Sequence, residues 1–304
     1  MNILILVLIL LLSLLFPGVI GIVKAKIVGR MGPVLLQPFY DIIRLFKKGS
    51  VYSNTTSFVF QWAPIISFGC ILVAAMFIPL NNYQGIFSFD NDLVVFAYLL
   101  AAGKFLMILA ALDTGSGFEG MGANREAFYS LLVEPAFFIL MGSVALITDH
   151  TSFYDLFNAL HAQPNISYMI AIIASYLLIQ ITMVENSRLP VDDPKTHLEL
   201  TMVHEVMVLD YSGFDLALIQ LSNGIKFILY GGLIANFIIP VRFGFWSSIL
   251  CFIAIQLVFA VIVGFLESFK ARNKLQKNPQ WIITLIAVAL MIFIAVLIFS
   301  EKII

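Results

Sequence analysis

Long apolar runs separated by short polar stretches make up most of the chain. Eight runs are long enough to cross a membrane, since a helix needs about 20 mostly apolar residues to span roughly 30 Å of hydrocarbon. None alternates apolar and polar residues in the way that is typical of outer-membrane strands. We therefore predict an all-α polytopic membrane protein with about eight transmembrane helices. The predicted spans are residues 3–22, 58–80, 93–112, 127–147, 166–184, 216–239, 245–266 and 281–299.

Two of the connecting segments carry the period of an amphipathic helix. In residues 35–48 the apolar side chains recur at helical spacing, while Gln37, Asp41 and Arg44 take the opposite face. This pattern predicts a helix lying at the membrane surface or docked on a partner. A shorter helix is predicted on the other side of the membrane. Its apolar residues are Phe153, Leu156, Phe157 and Leu160.

The composition excludes the soluble classes of protein. Of the 304 residues, 61% are hydrophobic and 12% are charged, whereas soluble domains have about 25% charged residues. A basic nucleic-acid-binding face is excluded for the same reason. No basic residue precedes the first apolar run, so we expect a retained helix rather than a cleaved signal peptide. We predict one integral membrane domain, residues 1–304, with cytoplasmic loops at 23–57, 113–126, 185–214 and 267–280.

The basic residues predict the orientation in the membrane. Thirteen of the seventeen lie in connections on one side, and only Arg242 and Lys302 lie on the other. Cytoplasmic loops carry an excess of Lys and Arg. This distribution predicts that the connections following the odd-numbered spans are cytoplasmic, and that both termini lie outside.

Three sequence features suggest other chemistries, but the surrounding sequence excludes each of them. Residues 115–120 match G-x-G-x-x-G but sit between two membrane spans, whereas a dinucleotide site follows a strand. His204 and Glu205 begin a zinc-protease motif whose second ligand position is Val208. Cys70 and Cys251 lie in separate spans and cannot supply the four thiolates of a typical iron–sulfur cluster. His197 and His204 are interpreted as hydrogen-bonded or proton-handling residues in preference to metal ligands.

Ionisable residues inside the predicted spans are candidates for function. Lys104, Glu134 and Lys226 interrupt apolar runs, at a cost of about 2.5–3.5 kcal/mol for a central charge. A buried ion pair that holds helices together is one interpretation, and a proton or ion path is the other. For Glu134 we favour the path; for Lys104 and Lys226 the sequence favours neither.

Residues 185–215 form the most polar stretch of the chain. Asp193 followed by Pro194 is typical of a helix N-terminus, and the pattern predicts a helix that carries Glu199 and Glu205 towards the sixth span. Many apolar residues alternate with these charges. Their burial would bring carboxylates into a medium of low dielectric constant, where protonation responds to neighbouring charge.

The loop motifs resemble one family: the subunit at the heel of the membrane arm of respiratory complex I (subunit 1) and its counterparts in membrane-bound [NiFe] hydrogenases. Within it, the chain is similar to the branch of formate hydrogenlyase and energy-converting hydrogenases. The matching segments are residues 29–41 (GRMGPVLLQPFYD), 113–116 (DTGS), 122–126 (GANRE), 133–136 (VEPA), 185–194 (ENSRLPVDDP) and 196–205 (THLELTMVHE).

The resemblance implies a non-catalytic subunit of an oxidoreductase complex in a prokaryotic cell membrane. Such a subunit anchors the cytoplasmic large and small hydrogenase subunits and links turnover to ion movement through antiporter-like partners. It implies no cofactor in this chain, with the [NiFe] centre and iron–sulfur clusters in partner subunits. The implied docking residues are Arg30, Gln37, Asp41, Asp113, Arg125, Glu126 and Arg188. The expected coupling residues are Glu134, Glu185, Asp192, Asp193, Glu199 and Glu205, to which the pattern adds Lys104, His197 and His204.

Two alternatives stay open at this stage. In a quinone-reducing complex I subunit, the same loops would roof a quinone cavity. The second alternative is a free-standing secondary transporter. Such folds often show paired repeats and broken spans, which are not apparent in this sequence. The choice between H⁺ and Na⁺, and between formate, ferredoxin or another electron donor, is also open.

Overall fold

The computed structural model describes residues 2–162, 164–192 and 202–299, with side chains for 3–162, 168–192 and 202–298. Over these ranges the chain forms eleven helices and no strand, as predicted for an all-α protein. The helices are α1 (Asn2–Ile27), α2 (Gln37–Phe46), α3 (Phe58–Ala75), α4 (Asp92–Asp113), α5 (Gly117–Thr148), α6 (Phe153–His161), α7 (Pro164–Glu185), α8 (His204–Met207), α9 (Gly213–Ile238), α10 (Phe245–Phe269) and α11 (Lys277–Phe299).

Eight of these helices are long and apolar enough to cross a membrane, which confirms the predicted spans. They are α1, α3, α4, α5, α7, α9, α10 and α11. Because successive spans alternate in direction, the connections 28–57, 114–116, 186–212 and 270–276 share one side. We call this side the basic face, since most of the basic residues lie on it or at the adjoining helix ends.

The main departure from the predicted boundaries concerns α5. It begins at Gly117 and not near residue 127, so the expected loop 113–126 shrinks to residues 114–116. Glu119, Gly122, Ala123 and Glu126 are buried at helical spacing. Two of these four residues are carboxylates, so the buried face of this part of α5 shows no apolar periodicity in the sequence.

Helix α9 is the centre of the bundle. Its membrane-spanning window is 83% buried, against 28% for α11 at the periphery, and it packs on α1, α3, α7 and α10. Gly224 makes the contact with α1 possible: a Cβ at this position would lie 2.8 Å from the carbonyl oxygen of Ser13. Small residues allow such close approach of backbones in membrane bundles.

The two predicted amphipathic helices are present. In α2 only Ile42 is buried, and Tyr40, Phe46 and the preceding Leu36 are exposed, as expected for a helix at the membrane surface or against a partner. Helix α6 is buried through its four apolar residues on the opposite side of the membrane. Asp92 of α4 accepts a hydrogen bond of 2.8 Å from the backbone N–H of Phe153, at the start of α6.

Helix α5 offers a paired test of its contact with the segment around α8. A Cβ at Gly122 would lie 2.8 Å from the carbonyl oxygen of Val203, whereas a Cβ at Gly142 of the same helix meets nothing within 4 Å. Gly122→Ala should destabilise the fold by about 1–3 kcal/mol through overpacking. Gly142→Ala should be neutral or stabilise it by up to about 1 kcal/mol through helix propensity. Melting curves of the detergent-solubilised protein measure both; equal melting temperatures would contradict the close contact.

Candidate functional site

A buried ionic cluster joins three membrane spans near the basic face. The Nζ atom of Lys104 in α4 lies 3.2 Å from Glu126 Oε1 in α5 and 2.8 Å from Glu185 Oε2 at the end of α7. All three side chains are less than 10% exposed. Ser187 donates a further hydrogen bond of 3.0 Å to Glu126 Oε2. One cation therefore bridges two carboxylates, which leaves the cluster with one excess negative charge when all three residues are ionised.

A small cavity lies on the α9 side of the cluster. It has about 20 Å³ accessible to the centre of a water molecule, enough for a single water. Lys104, Glu126, His204 and Lys226 all line it. We call it the histidine cavity.

A second cavity lies on the other side of Lys104. It holds about 30 Å³ on the same measure and is lined by Lys104, Glu134, Glu185 and Tyr230. We call it the Glu134 cavity. Glu134 is half-buried and Tyr98, on the same wall, is 64% exposed. The cavity therefore lies close to the lateral surface of the bundle.

A third cavity, the vestibule, has about 190 Å³ on the same measure, more than either of the other two, and lies towards the basic face. Its walls come from α1, α2, α9 and residues 186–192 and 204–205. His204 lines both the vestibule and the histidine cavity, and Lys104 lines both the histidine and Glu134 cavities. Shared side chains thus connect the three cavities in series, from the basic face to Glu134.

His204 stands between the vestibule and the ionic cluster as a neutral imidazole. Burial lowers its pKa to about 4; the nearby Glu126 opposes this effect, while Lys226 and Lys104 add to it. The Nδ2 amide of Asn223 lies 3.0 Å from Nε2 of His204. An amide N–H can donate to that nitrogen only when the ring nitrogen is unprotonated, so the hydrogen bond agrees with the pKa.

Three further ion pairs lie near the connection 186–192, and two of them hold it in place. Glu267, whose side chain is fully buried, pairs with Lys24 of α1 at 2.8 Å and with Arg188 at 3.2 Å. Asp192 pairs with Arg272 at 2.8 Å. Its other oxygen accepts backbone hydrogen bonds from Val203 and His204. The segment that carries His204 is therefore tied to the connection before α11.

The predicted docking residues do not form one surface. Arg30 is exposed on the basic face, and Gln37 donates to Asp41 at 2.9 Å along α2. Asp113 accepts from the backbone N–H of Ser57, at the start of α3. Arg188 lies over the ring of Phe227, 5.1 Å from its centroid.

The placement of Arg125 and Glu126 in a docking loop is wrong, because both lie on helix α5. Arg125 donates to the carbonyl oxygen of Met202 at 2.9 Å. Glu126 is buried in the ionic cluster, where no docked protein can reach it.

The predicted coupling residues fall into three groups. Lys104, Glu134, Glu185 and His204 line the two smaller cavities, while Asp192 and Glu205 line the vestibule. Asp193, His197 and Glu199 lie outside the described residues. Lys226, for which the sequence favoured neither a structural nor a functional role, lines the histidine cavity. Sequence reasoning missed Glu267 and Asn223, since a single polar residue at the end of a span or within one carries no periodic signal.

Among the residues that the structure describes, no group of three or more His, Cys, Asp or Glu is arranged to hold a metal ion. The cluster consists instead of one ammonium between two carboxylates, and Lys104 lines a cavity on either side of it.

The comparison with known proteins defines the family. The family model described as NADH dehydrogenase matches residues 1–299, and the chain belongs to this family of membrane proteins. The resemblance predicted from the loop motifs is thereby confirmed.

Three relatives illustrate the range within the family. Hydrogenase-4 component C of Escherichia coli (strain K12) is 30% identical, over 90% of this chain and 86% of the relative. Formate hydrogenlyase subunit 4 of the same organism is 26% identical, over 83% and 80%. NADH-ubiquinone oxidoreductase chain 1 of Chondrus crispus is 29% identical, over 67% and 61%. The similarity to the two hydrogenase relatives thus extends over more of the chain.

A chain in the solved structure of a membrane-bound sulfane sulfur reductase, described as an archaeal respiratory membrane complex, has the same fold. The TM-score is 0.83, with 97% of this chain and 98% of that chain covered at 19% identity.

The neutral state of His204 makes stability depend on pH. Its pKa is about 4 in the folded protein, against 6.5 for an unperturbed histidine. The unfolded state therefore binds a proton at His204 as the pH falls below 6.5, whereas the folded state does not. The free energy of unfolding should fall by about 2 kcal/mol by pH 5. His204→Gln should remove this part of the pH dependence. Melting temperatures between pH 8 and pH 5 measure it.

His150→Gln, at an exposed position, is the matched control and should follow the parent protein at every pH. A His204→Gln variant whose stability falls just as steeply between pH 6.5 and pH 5 would contradict the buried neutral imidazole.

Proposed function

We propose that this chain is the membrane anchor and coupling subunit of a membrane-bound [NiFe] hydrogenase complex of the formate hydrogenlyase or energy-converting type. It would dock the cytoplasmic redox arm and link electron transfer to the translocation of protons or other ions. Its extensive similarity to a hydrogenase-4 component and a formate hydrogenlyase subunit supports the assignment. The proposed coupling mechanism rests on the position of Lys104, which lies between two carboxylates and between two cavities.

The cluster is suited to transmit a change of charge. Two unit charges 4 Å apart interact by about 4 kcal/mol at an effective dielectric constant of 20. Protonating Glu126 would therefore weaken its hold on Lys104 and strengthen the pairing of Lys104 with Glu185. Glu134 lies on the other side of Lys104 and lines the same cavity as Glu185. The change in the pairing of Lys104 would therefore alter the electrostatic potential at Glu134. A proton or charge would thus advance from the histidine cavity to the Glu134 cavity without any redox centre in this chain.

The redox arm could drive this change through the loop 202–212. Asp192 holds the backbone at residues 203 and 204, so a docked subunit that shifted this loop would also shift His204 against the ionic cluster. Arg30, Gln37, Asp41 and Asp113 would contribute to docking on the same side. In this proposal the basic face is cytoplasmic, both termini are on the outer side of a prokaryotic cell membrane, and antiporter-like subunits complete the ion path.

Glu134 provides the test of coupling. Glu134→Gln keeps the size of the side chain and removes the exchangeable proton, so the complex should assemble and turn over. Ion transport per turnover should fall about 100-fold or more, since a proton-transferring group typically contributes about 100-fold to 10,000-fold. The measurement is hydrogen turnover and ion uptake in the same proteoliposomes.

Asp90→Asn, an exposed carboxylate in the connection between α3 and α4, is the control for loss of one negative charge and should transport normally. If Glu134→Gln transports as many ions per turnover as the parent complex, Glu134 is structural and the proposed path fails. Proton and sodium uptake measured separately would identify the ion.

The subunit composition tests the assignment itself. Purification in mild detergent should yield large and small hydrogenase subunits together with antiporter-like membrane subunits, identified by mass spectrometry. Nickel should be present at about one atom per complex, and iron–sulfur clusters should be found in the partner subunits. Recovery of flavin and NADH activity without nickel would overturn the hydrogenase assignment.

The vestibule favours a second candidate function, that of the quinone-cavity subunit of a respiratory complex I. It is more than six times the volume of either smaller cavity, and it opens between α1, the surface helix α2 and α9. Turnover that requires added quinone, and that Ile42→Trp inhibits by filling the vestibule wall, would support this function. Quinone-independent turnover of the purified complex would exclude it.

A further inference from the structure

Helices α10 and α11 are consecutive spans that hardly touch each other. A connection of seven residues, 270–276, joins them, yet the packing of α10 is with α1 and α9 and that of α11 is with α5. Both also contact α7. The two helices therefore stand apart over α7, and we call the space between them the α10–α11 groove, with α7 as its floor.

Exposed apolar side chains run along these helices for most of the membrane thickness. Leu250 and Phe269 of α10 are 69% and 70% exposed, and the 19 residues between them correspond to about 28 Å of helix. Phe265 and Phe269 stack on each other with ring centroids 5.0 Å apart. In α7, Ile172 and Tyr176 are also exposed. This surface matches acyl chains that lie parallel to the helices.

Three lysines lie where the apolar stripe ends on the basic face. Lys270 follows the last residue of α10, and its ammonium lies 5.7 Å from the ring centroid of Trp281, near the start of α11. Lys274 and Lys277 are exposed in and after the same connection. Within the described part of the chain, none of the three has a carboxylate within 4 Å. The connection therefore presents three uncompensated positive charges beside the mouth of the groove.

We propose that the α10–α11 groove binds an anionic phospholipid, with the phosphate at Lys270, Lys274 and Lys277 and the acyl chains against Phe265 and Phe269. Along the membrane normal the protein presents apolar and then cationic groups, which complement the acyl chains and the anionic phosphate of a phospholipid. A bare apolar gap would suit a helix of another subunit equally well. The three cations, which have no carboxylate within 4 Å among the described residues, favour the lipid. Basic pockets between transmembrane helices are known to select such headgroups.

The bound lipid would also stabilise the connection 270–276 beside the functional site. Arg272 lies in the same connection and pairs with Asp192, which holds the backbone of the segment that carries His204. A headgroup on Lys270 and Lys274 would order this connection from outside, while Arg272 anchors it from inside. The proposal does not depend on the hydrogenase assignment, since it concerns only the lipid-facing surface.

The first experiment measures selectivity for the headgroup. The delipidated complex is titrated with dioleoylphosphatidylglycerol, dioleoylphosphatidylcholine or glycerol 3-phosphate, and its melting temperature is followed. Only the anionic lipid should raise the melting temperature. Replacing Lys270, Lys274 and Lys277 by Gln should weaken its binding about 100-fold, since each cation near an anionic surface contributes about fivefold. The same charge change at Arg44 of α2 and at Lys47 and Lys48, which follow it, is the control and should leave binding unchanged.

The second experiment identifies what occupies the groove. Benzoylphenylalanine at position 269 is photolysed in nanodiscs that contain equal amounts of the two phospholipids, and the adducts are identified by mass spectrometry. Position 58, in the first turn of α3 at the same membrane face, is the control because Phe58 is 73% exposed and Phe269 is 70% exposed. Position 269 should yield adducts enriched in phosphatidylglycerol, whereas position 58 should yield the bulk ratio.

Three results would overturn the proposal: equal stabilisation by both phospholipids, unchanged phosphatidylglycerol binding in the lysine variant, or a peptide adduct at position 269. The last would assign the groove to a helix of another membrane subunit. Stabilisation by glycerol 3-phosphate alone would show a soluble-anion site and would equally exclude the lipid.

Discussion

The pairing of Lys104 with Glu126 and Glu185 is the constraint on which the membrane bundle depends. Charges removed from water are retained only where close geometry and hydrogen bonds compensate for desolvation, and removal of one partner leaves an uncompensated buried charge at a cost of about 3–5 kcal/mol. Because the three residues belong to α4, α5 and α7, these helices must stay in register near the basic face. The same requirement makes the cluster sensitive to any change in the charge or position of its neighbours.

The functional arrangement follows from where that cluster sits. The histidine cavity and the Glu134 cavity lie on its two sides, and the vestibule begins at His204. Arg188 and Asp192 of the adjoining connection pair with Glu267 and Arg272, and Glu267 also pairs with Lys24. Polar contacts therefore link the connection before α11 to His204, which lines the same cavity as Lys104 and Glu126.

Much of the fold was predictable, and the site was predictable in part. The eight spans, α2 and α6 follow from hydrophobic period and length, which depend only on local sequence. Glu134 and Lys104 were recognisable because a charge inside an apolar run is costly. The start of α5 was misplaced because carboxylates occupy its buried face, and Glu126 was therefore assigned to a loop. Its true partner, Lys104, is 22 residues away and on another helix, a distance that no periodic pattern reports.

The sequence by itself determined that this is a multi-pass helical membrane protein of the NADH dehydrogenase family, with its charge concentrated on one face. Composition and period suffice for the membrane class and its eight spans, since transfer of a helix into a bilayer depends on its own side chains. The family follows from the loop motifs and from the family model that matches residues 1–299. Only the tertiary structure decided which carboxylates meet which amines, where water-sized cavities lie between them, and that α10 and α11 stand apart. These features depend on the packing of helices distant in sequence, which is governed by the shape of facing surfaces and not by the hydrophobicity of either helix.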